Sequence, residues 1–116
     1  MQADQAPYSQ FNLVRDMLAA ADAIQSFDSS VVKATAAEIA SVGKLLFTGE
    51  GSSRLFPAKS AIMQSRQQGW PCALHTEAGR QSQNYALADW AVLGMSNSGR
   101  TAEVIRLFTS LKAAGH

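Results

Sequence analysis

Two short segments of the chain carry residues suited to holding an oxyanion: Gly49-Glu50-Gly51-Ser52-Ser53 and Ser96-Asn97-Ser98-Gly99-Arg100-Thr101. Glycine lets a backbone approach a ligand closely, and the free N–H groups at a helix start face an anion with a favourable dipole. Ser52, Ser53, Ser96, Ser98 and Thr101 add hydroxyl donors. Neither segment has a Lys-Ser/Thr pair after its second glycine, as a triphosphate-binding P-loop requires, and a set of neutral donors suits a phosphate monoester. Turns and helix caps use the same residue types, so one such segment alone carries little weight. Two of them, each between an expected strand and an expected helix, carry more.

The flanking pattern says what must position them. Leu45-Leu46-Phe47 is a short apolar run bounded by turn residues, the mark of a strand buried on both faces. A helix is expected from about Arg54 to Gln68, closing on Gly69, with Pro57 tolerable in its first turn. Trp70 to His75 reads as a second strand, and Pro71, which cannot donate to a ladder, places it at a sheet edge. Residues 76–88 are ambiguous, with a short helix among the readings. Asp89 to Met95 is the third strand, and Thr101 to Ala114 is a helix with Val104, Leu107, Phe108 and Leu111 on one face. Alternating strands and helices imply a doubly wound α/β fold with a parallel sheet, and an edge position for the second strand gives the order 2-1-3. Ligands of such sheets bind beyond the carboxyl ends of the strands where strand order reverses, so the two segments would face each other there.

Ahead of this domain lies a helical arm. Val14, Met17, Leu18 and Ala21 repeat at helical spacing between Gln10 and Phe27. Asp28-Ser29-Ser30 offers N-caps for a second helix from Val31 to about Val42, with Gly43 at its C-cap. The expected organisation is a tail and two-helix arm over 1–43 and an α/β domain over 44–116. Three strands make a thin sheet, so the domain reads as incomplete at its C-terminus, or as leaving an edge for a partner.

Composition narrows the class. Hydrophobic residues make up 47 % of the 116 and charged residues 16 %, which supports a packed core and argues against disorder. A net charge of +1 argues against a nucleic-acid groove, which needs a clustered basic face. One cysteine, Cys72, excludes an internal disulfide, and with two histidines there is no Cys/His cluster for structural zinc. No apolar run is long enough to span a bilayer, and Met1–Pro7 lacks the basic start and apolar stretch of a signal peptide, so a cytoplasmic location without membrane or cofactor is expected.

Gly49-Glu-Gly-Ser-Ser-Arg-Leu-Phe-Pro-Ala58 resembles the first phosphate loop of the sugar isomerase (SIS) domain family. Ser96-Asn-Ser-Gly-Arg-Thr-Ala-Glu103 is similar to its signature Ser-x-Ser-Gly-x-Thr-x-Glu/Asp. Val14-Arg-Asp-Met-Leu18 with Ile24 and Phe27 resembles the arm before the isomerase half of two-domain aminosugar-phosphate enzymes. The resemblance covers residues 10–116. It implies a flavodoxin-like fold, a hexose or aminohexose 6-phosphate ligand, and a homodimer. By the same resemblance Gly51, Ser52, Ser53, Ser96, Asn97, Ser98, Gly99 and Thr101 contact or shape the ligand site. Members isomerise sugar phosphates, handle their amino groups, or act as non-catalytic sensing domains. The catalytic groups of two-domain relatives fall beyond the stretch matched here, so no catalytic residue carries over.

Among groups able to move protons, Glu50 is the carboxylate nearest the first loop in sequence, and its ordinary reading is a solvated loop residue. Glu77 follows the second strand, and Glu103 suits the dipole of the last helix. Arg100 suits either an anionic ligand or solvent at a helix start. His75 is expected at a strand end without a visible partner. Cys72, Trp70 and Trp90 are expected in the core, and Lys59 and Arg66 in solvent.

Overall fold

The computed structural model describes residues 8–116. A first compact unit ends at Lys33, and a second runs Ala34–His116. Most of the expected tail lies outside the described residues. In the first unit a 3-10 turn, Tyr8–Gln10, precedes helix α1, Asn12–Gln25. The helical spacing of its apolar residues is there, but no residue of α1 is buried: Leu13, Met17, Leu18 and Ile24 are all exposed. Asp28 caps a second 3-10 turn, Ser29–Val32. Its carboxylate accepts from the Ser30 N–H at 2.9 Å and is held below the ordinary Asp value by its bonds to Ser30. Helix α2, Lys33–Val42, comes directly after this turn. Within the second unit α2 packs on the sheet side, for Ile39 lies against the core.

That second unit is built on strands β1 (Lys44–Gly49), β2 (Ala73–Ala78) and β3 (Ala91–Met95), all parallel, in the order β2-β1-β3. The expected α/β class and strand order both hold. Helix α3 (Ser52–Gln68) joins β1 to β2, the short helix α4 (Gly79–Ser82) comes after β2, and α5 (Ala102–Ala113) after β3.

β1 is the central strand, and its side chains alternate between two packed layers. Leu45 and Phe47 meet Ala58 of α3, with Ala61, Leu74 and Met95 around them. Leu46 faces the other way, with no exposed surface, and meets Leu87 and Leu107, flanked by Trp90, Val92 and Leu111. The register carries these faces across the sheet: Leu46 aligns with His75 and Val92, Phe47 with Thr76 and Leu93.

Several local expectations shift. The second strand begins at Ala73 and runs to Ala78, three residues later than read from the sequence. Trp70, Pro71 and Cys72 therefore precede it. Trp70 is 47 % exposed, its indole N–H donating to Gln68 Oε1 at 3.0 Å, and is not a core residue. The apolar texture of Trp-Pro-Cys suggests a strand, whereas an edge strand tolerates the polar Thr76 and Glu77 that suggest a loop. Pro71 thus ends the approach to the edge strand instead of sitting in it. Cys72 is half-buried beside the first layer. Helix α3 starts at Ser52, so Pro57 lies in its second turn and leaves the Ser53 carbonyl without its helical donor. The α3 C-terminus closes as expected: Gly69 adopts φ 65°, and the Trp70 N–H reaches back to the Ser65 carbonyl at 3.0 Å. Lys59 and Arg66 are exposed. No helix among the described residues is long and apolar enough to cross a membrane.

Leu46 is where both strand neighbours and α5 converge, so its truncation tests the sheet core. Leu46→Ala is expected to lower unfolding free energy by about 2–5 kcal/mol in urea titration; a loss well under 1 kcal/mol would mean the two layers do not depend on it.

Candidate functional site

Both oxyanion-type segments stand at carboxyl ends of neighbouring strands. Gly49 ends β1, and Gly51 with φ 56° leads into α3, whose first residues are Ser52 and Ser53. Met95 ends β3, and Ser96–Arg100 lead to Thr101, the N-cap of α5. Because β1 and β3 are adjacent and β2 lies on the other side of β1, the two loops flank the point where strand order reverses.

Gly49 sets how close they come. Its φ is 153°, a conformation side-chain-bearing residues rarely adopt, and a Cβ there would overlap the Met95 carbonyl oxygen and stand 3.3 Å from the Arg54 Cβ. Glycine is therefore required where the bases of the two loops meet.

No side chain caps either helix, so the leading N–H groups of α3 and α5 are left to solvent or a ligand. Ser52 is exposed and Ser53 half-buried. In the second loop Ser96 and Thr101 close on each other, Oγ to Oγ1 2.7 Å. One of these hydroxyls spends its proton on the other, so together they present one free donor rather than two. Ser98 Oγ accepts from the Arg100 N–H at 3.2 Å, a local turn that leaves the Ser98 proton available. Asn97 and Gly99 are exposed at the loop tip, Gly99 with φ 65°.

The acidic candidates have other partners. Glu50 accepts from the Gly79 N–H at 3.0 Å and is half-buried, so it ties the first loop to the start of α4 and is not a freely solvated residue. Gly79 in turn lies against the first turn of α5, where a Cβ would be 3.0 Å from the Glu103 carbonyl carbon. Glu50, Gly79 and Glu103 thereby link the first loop, α4 and α5. Arg100 is exposed. His75 lies within β2, not at its end, exposed and with its ring 5.8 Å from that of Tyr85.

Three features have no counterpart in the sequence reading. The Arg54 guanidinium donates to Thr76 Oγ1 at 3.2 Å, bridging α3 to β2, and its Nε is buried without a partner. Thr48, with no exposed surface, has an unpartnered hydroxyl on β1. Glu77 accepts from the Ala78 N–H at 2.8 Å and from the Tyr85 hydroxyl at 3.1 Å. These bonds hold Glu77 below the ordinary carboxylate value, with Arg54 and His75 assisting, and push Tyr85 up. The Arg54–Thr76 and Glu77–Tyr85 bonds have no sequence signal, since no periodicity relates their residues. A hollow of about 670 Å³ over Leu46, His75, Tyr85 and Trp90 contains no residue of either loop. No cluster of three metal-ligating side chains occurs among the described residues.

No family model, no curated protein and no solved structure matches the chain.

The lowered Glu77 value fixes the sign of a pH effect. A carboxylate whose folded value is depressed stabilises the fold above its unfolded value of about 4.5 and loses that contribution as pH falls through the folded value. Glu77→Gln is expected to be less stable than the parent at pH 7, with the gap closing below about pH 4.5 in urea titrations. A gap that stays constant with pH would show that the carboxylate charge does not matter there.

Proposed function

We propose that the chain binds a phosphorylated sugar, a hexose or aminohexose 6-phosphate, between the β1–α3 and β3–α5 loops. The observation that carries this reading is the pairing itself: two uncapped helix starts rich in hydroxyls, on neighbouring parallel strands at the switch point, brought together at Gly49. The resemblance of Gly49–Ala58 and Ser96–Glu103 to the SIS phosphate loops supports it and supplies the sugar. Backbone N–H groups of α3 and α5 would receive the phosphate oxygens, with Ser52, Ser53, Ser98 and the Ser96–Thr101 pair donating around them. Glycines 51 and 99 would give the backbone its approach.

The binding site would belong to a phosphosugar isomerase or aminosugar-phosphate enzyme of the cytoplasm, working as a homodimer. A sensing domain without catalysis is the second reading: isomerisation needs a base beside the sugar carbons, and Glu50, the nearest carboxylate in sequence, is turned toward α4, its Oε1 accepting from the Gly79 N–H.

Ligand binding to the folded state raises the unfolding midpoint by mass action. Glucosamine 6-phosphate and fructose 6-phosphate are expected to raise it more than free phosphate does. In the Ser96→Ala/Ser98→Ala variant each lost hydroxyl contact is expected to cost about 1 kcal/mol of binding free energy by titration calorimetry, with cooperative unfolding retained. Unchanged affinity in that double variant would remove the second loop from the site. Turnover of fructose 6-phosphate to an aldose phosphate would decide for the enzyme over the sensor.

A further inference from the structure

The hollow of about 670 Å³ beside β2 shares no residue with either loop. Leu46 and Leu87 form its floor, with Trp90 packed against them. His75, which aligns with Leu46 in the β1–β2 register, stands with Tyr85 in its wall. Their ring centres are 5.8 Å apart and their planes are tilted by 32°. Asn84 is exposed at the rim. Three aromatic rings and a carboxamide thus converge on an apolar floor. A further strand paired with β3 would lie at the opposite edge of the sheet from this hollow.

The segment that carries Asn84 and Tyr85 is anchored before any ligand arrives. The Asn84 and Tyr85 N–H groups donate to the Gln81 and Ser82 carbonyls at 3.0 and 3.1 Å, and the Trp90 N–H donates to the Leu87 carbonyl at 3.0 Å. Ser82 has no exposed surface, and its hydroxyl donates to the Ala78 carbonyl at 2.9 Å. The Tyr85 hydroxyl donates to Glu77 Oε2 at 3.1 Å. The phenol is thereby pinned at its far end while the residue stays 42 % exposed. A wall set in advance spares a ligand much of the cost of ordering it.

We infer that this hollow is a nucleoside site, taking an uncharged purine base of the adenine type. The exposed aromatic faces offer a stacking platform, which suits a flat heterocycle better than a sugar. The Asn84 carboxamide donates and accepts at once, as the N6 and N7 edge of adenine requires. No Lys, Arg, Asp or Glu lines the hollow, so the phosphate of a nucleotide would meet no cation there. The same lack tells against the base of a nucleic-acid strand, whose backbone needs a basic face. The volume lies within the range of about 300–1,000 Å³ usual for small-molecule sites. Because the hollow and the loops have no residue in common, nucleoside binding stands or falls apart from sugar-phosphate binding.

Adenosine is the probe, in equilibrium dialysis and in titrations of indole emission from the Trp70→Phe variant, where Trp90 is the remaining indole. Saturable binding is expected with a Kd on the order of 100 micromolar, together with quenching of Trp90. Adenosine 5′-monophosphate should bind at least about fivefold more weakly, since nothing pairs its charge. N6,N6-dimethyladenosine, which lacks the N6 donor, should do the same. Asn84→Ala is expected to weaken adenosine about tenfold, and Tyr85→Ala about tenfold through lost stacking. Should Tyr85→Ala fail to fold, Asn84→Ala on the exposed rim carries the test. Ser98→Ala should leave adenosine binding unchanged, and glucosamine 6-phosphate should not displace it. Absence of saturable binding overturns the inference. So does binding that leaves Trp90 unquenched, that survives Asn84→Ala, or that is as tight for the monophosphate or the dimethylated base. Displacement of adenosine by glucosamine 6-phosphate overturns it as well, since it would put the nucleoside at the loops.

Discussion

The contact between Gly49 and the Met95 carbonyl sets the spacing of everything above the sheet. Parallel strands hold their backbones about 4.8 Å apart, and loops leaving neighbouring strands normally diverge to make room for side chains. Here the last residue of the ladder has no side chain and a φ of 153°, so the β1–α3 turn leans over the end of β3. α3 and α5 both start beyond the carboxyl ends of these neighbouring strands. A Cβ at this position would have to displace backbone, not a mobile side-chain tip, so relaxation is costly.

Around the two loops the electrostatics depend on where the carboxylates are occupied. Glu50 receives an amide N–H of α4, and Glu77 receives an amide and the Tyr85 hydroxyl. Each negative charge is thereby met by donors before any ligand arrives, while the donors of α3 and α5 are left unmet. Arg54 adds a cation at the foot of the first loop. Unmet donors thus gather at the two helix starts, although the chain as a whole is almost neutral.

The parts of this arrangement that depend on neighbours in sequence are legible without the fold. An apolar triplet between turn residues marks β1, and helical spacing marks α5. The two Gly/Ser segments can be placed after strands from that alone. The expected strand order holds, but not for the reason read from Pro71: the proline lies ahead of β2 and withdraws no donor from its ladder. What depends on neighbours in space is not legible. Glu50 finds Gly79 twenty-nine residues on, and Arg54 finds Thr76 twenty-two residues on, across a segment with no period to read. The pairing of Ser96 with Thr101 is hidden for another reason: in sequence both hydroxyls count as donors, and only geometry shows one consumed by the other.

The two tryptophans, finally, are placed to report different things. Trp70 is half-exposed just after α3, so its surroundings change less than those of a core residue when the chain unfolds. Trp90 is half-buried beside Leu46, Leu87 and Leu107 and loses that environment when the core opens. It also sits ahead of β3, about 20 Å by strand rise from the Ser96 loop at the other end. Intrinsic fluorescence should therefore follow unfolding mainly through Trp90 and stay silent when the loops are filled.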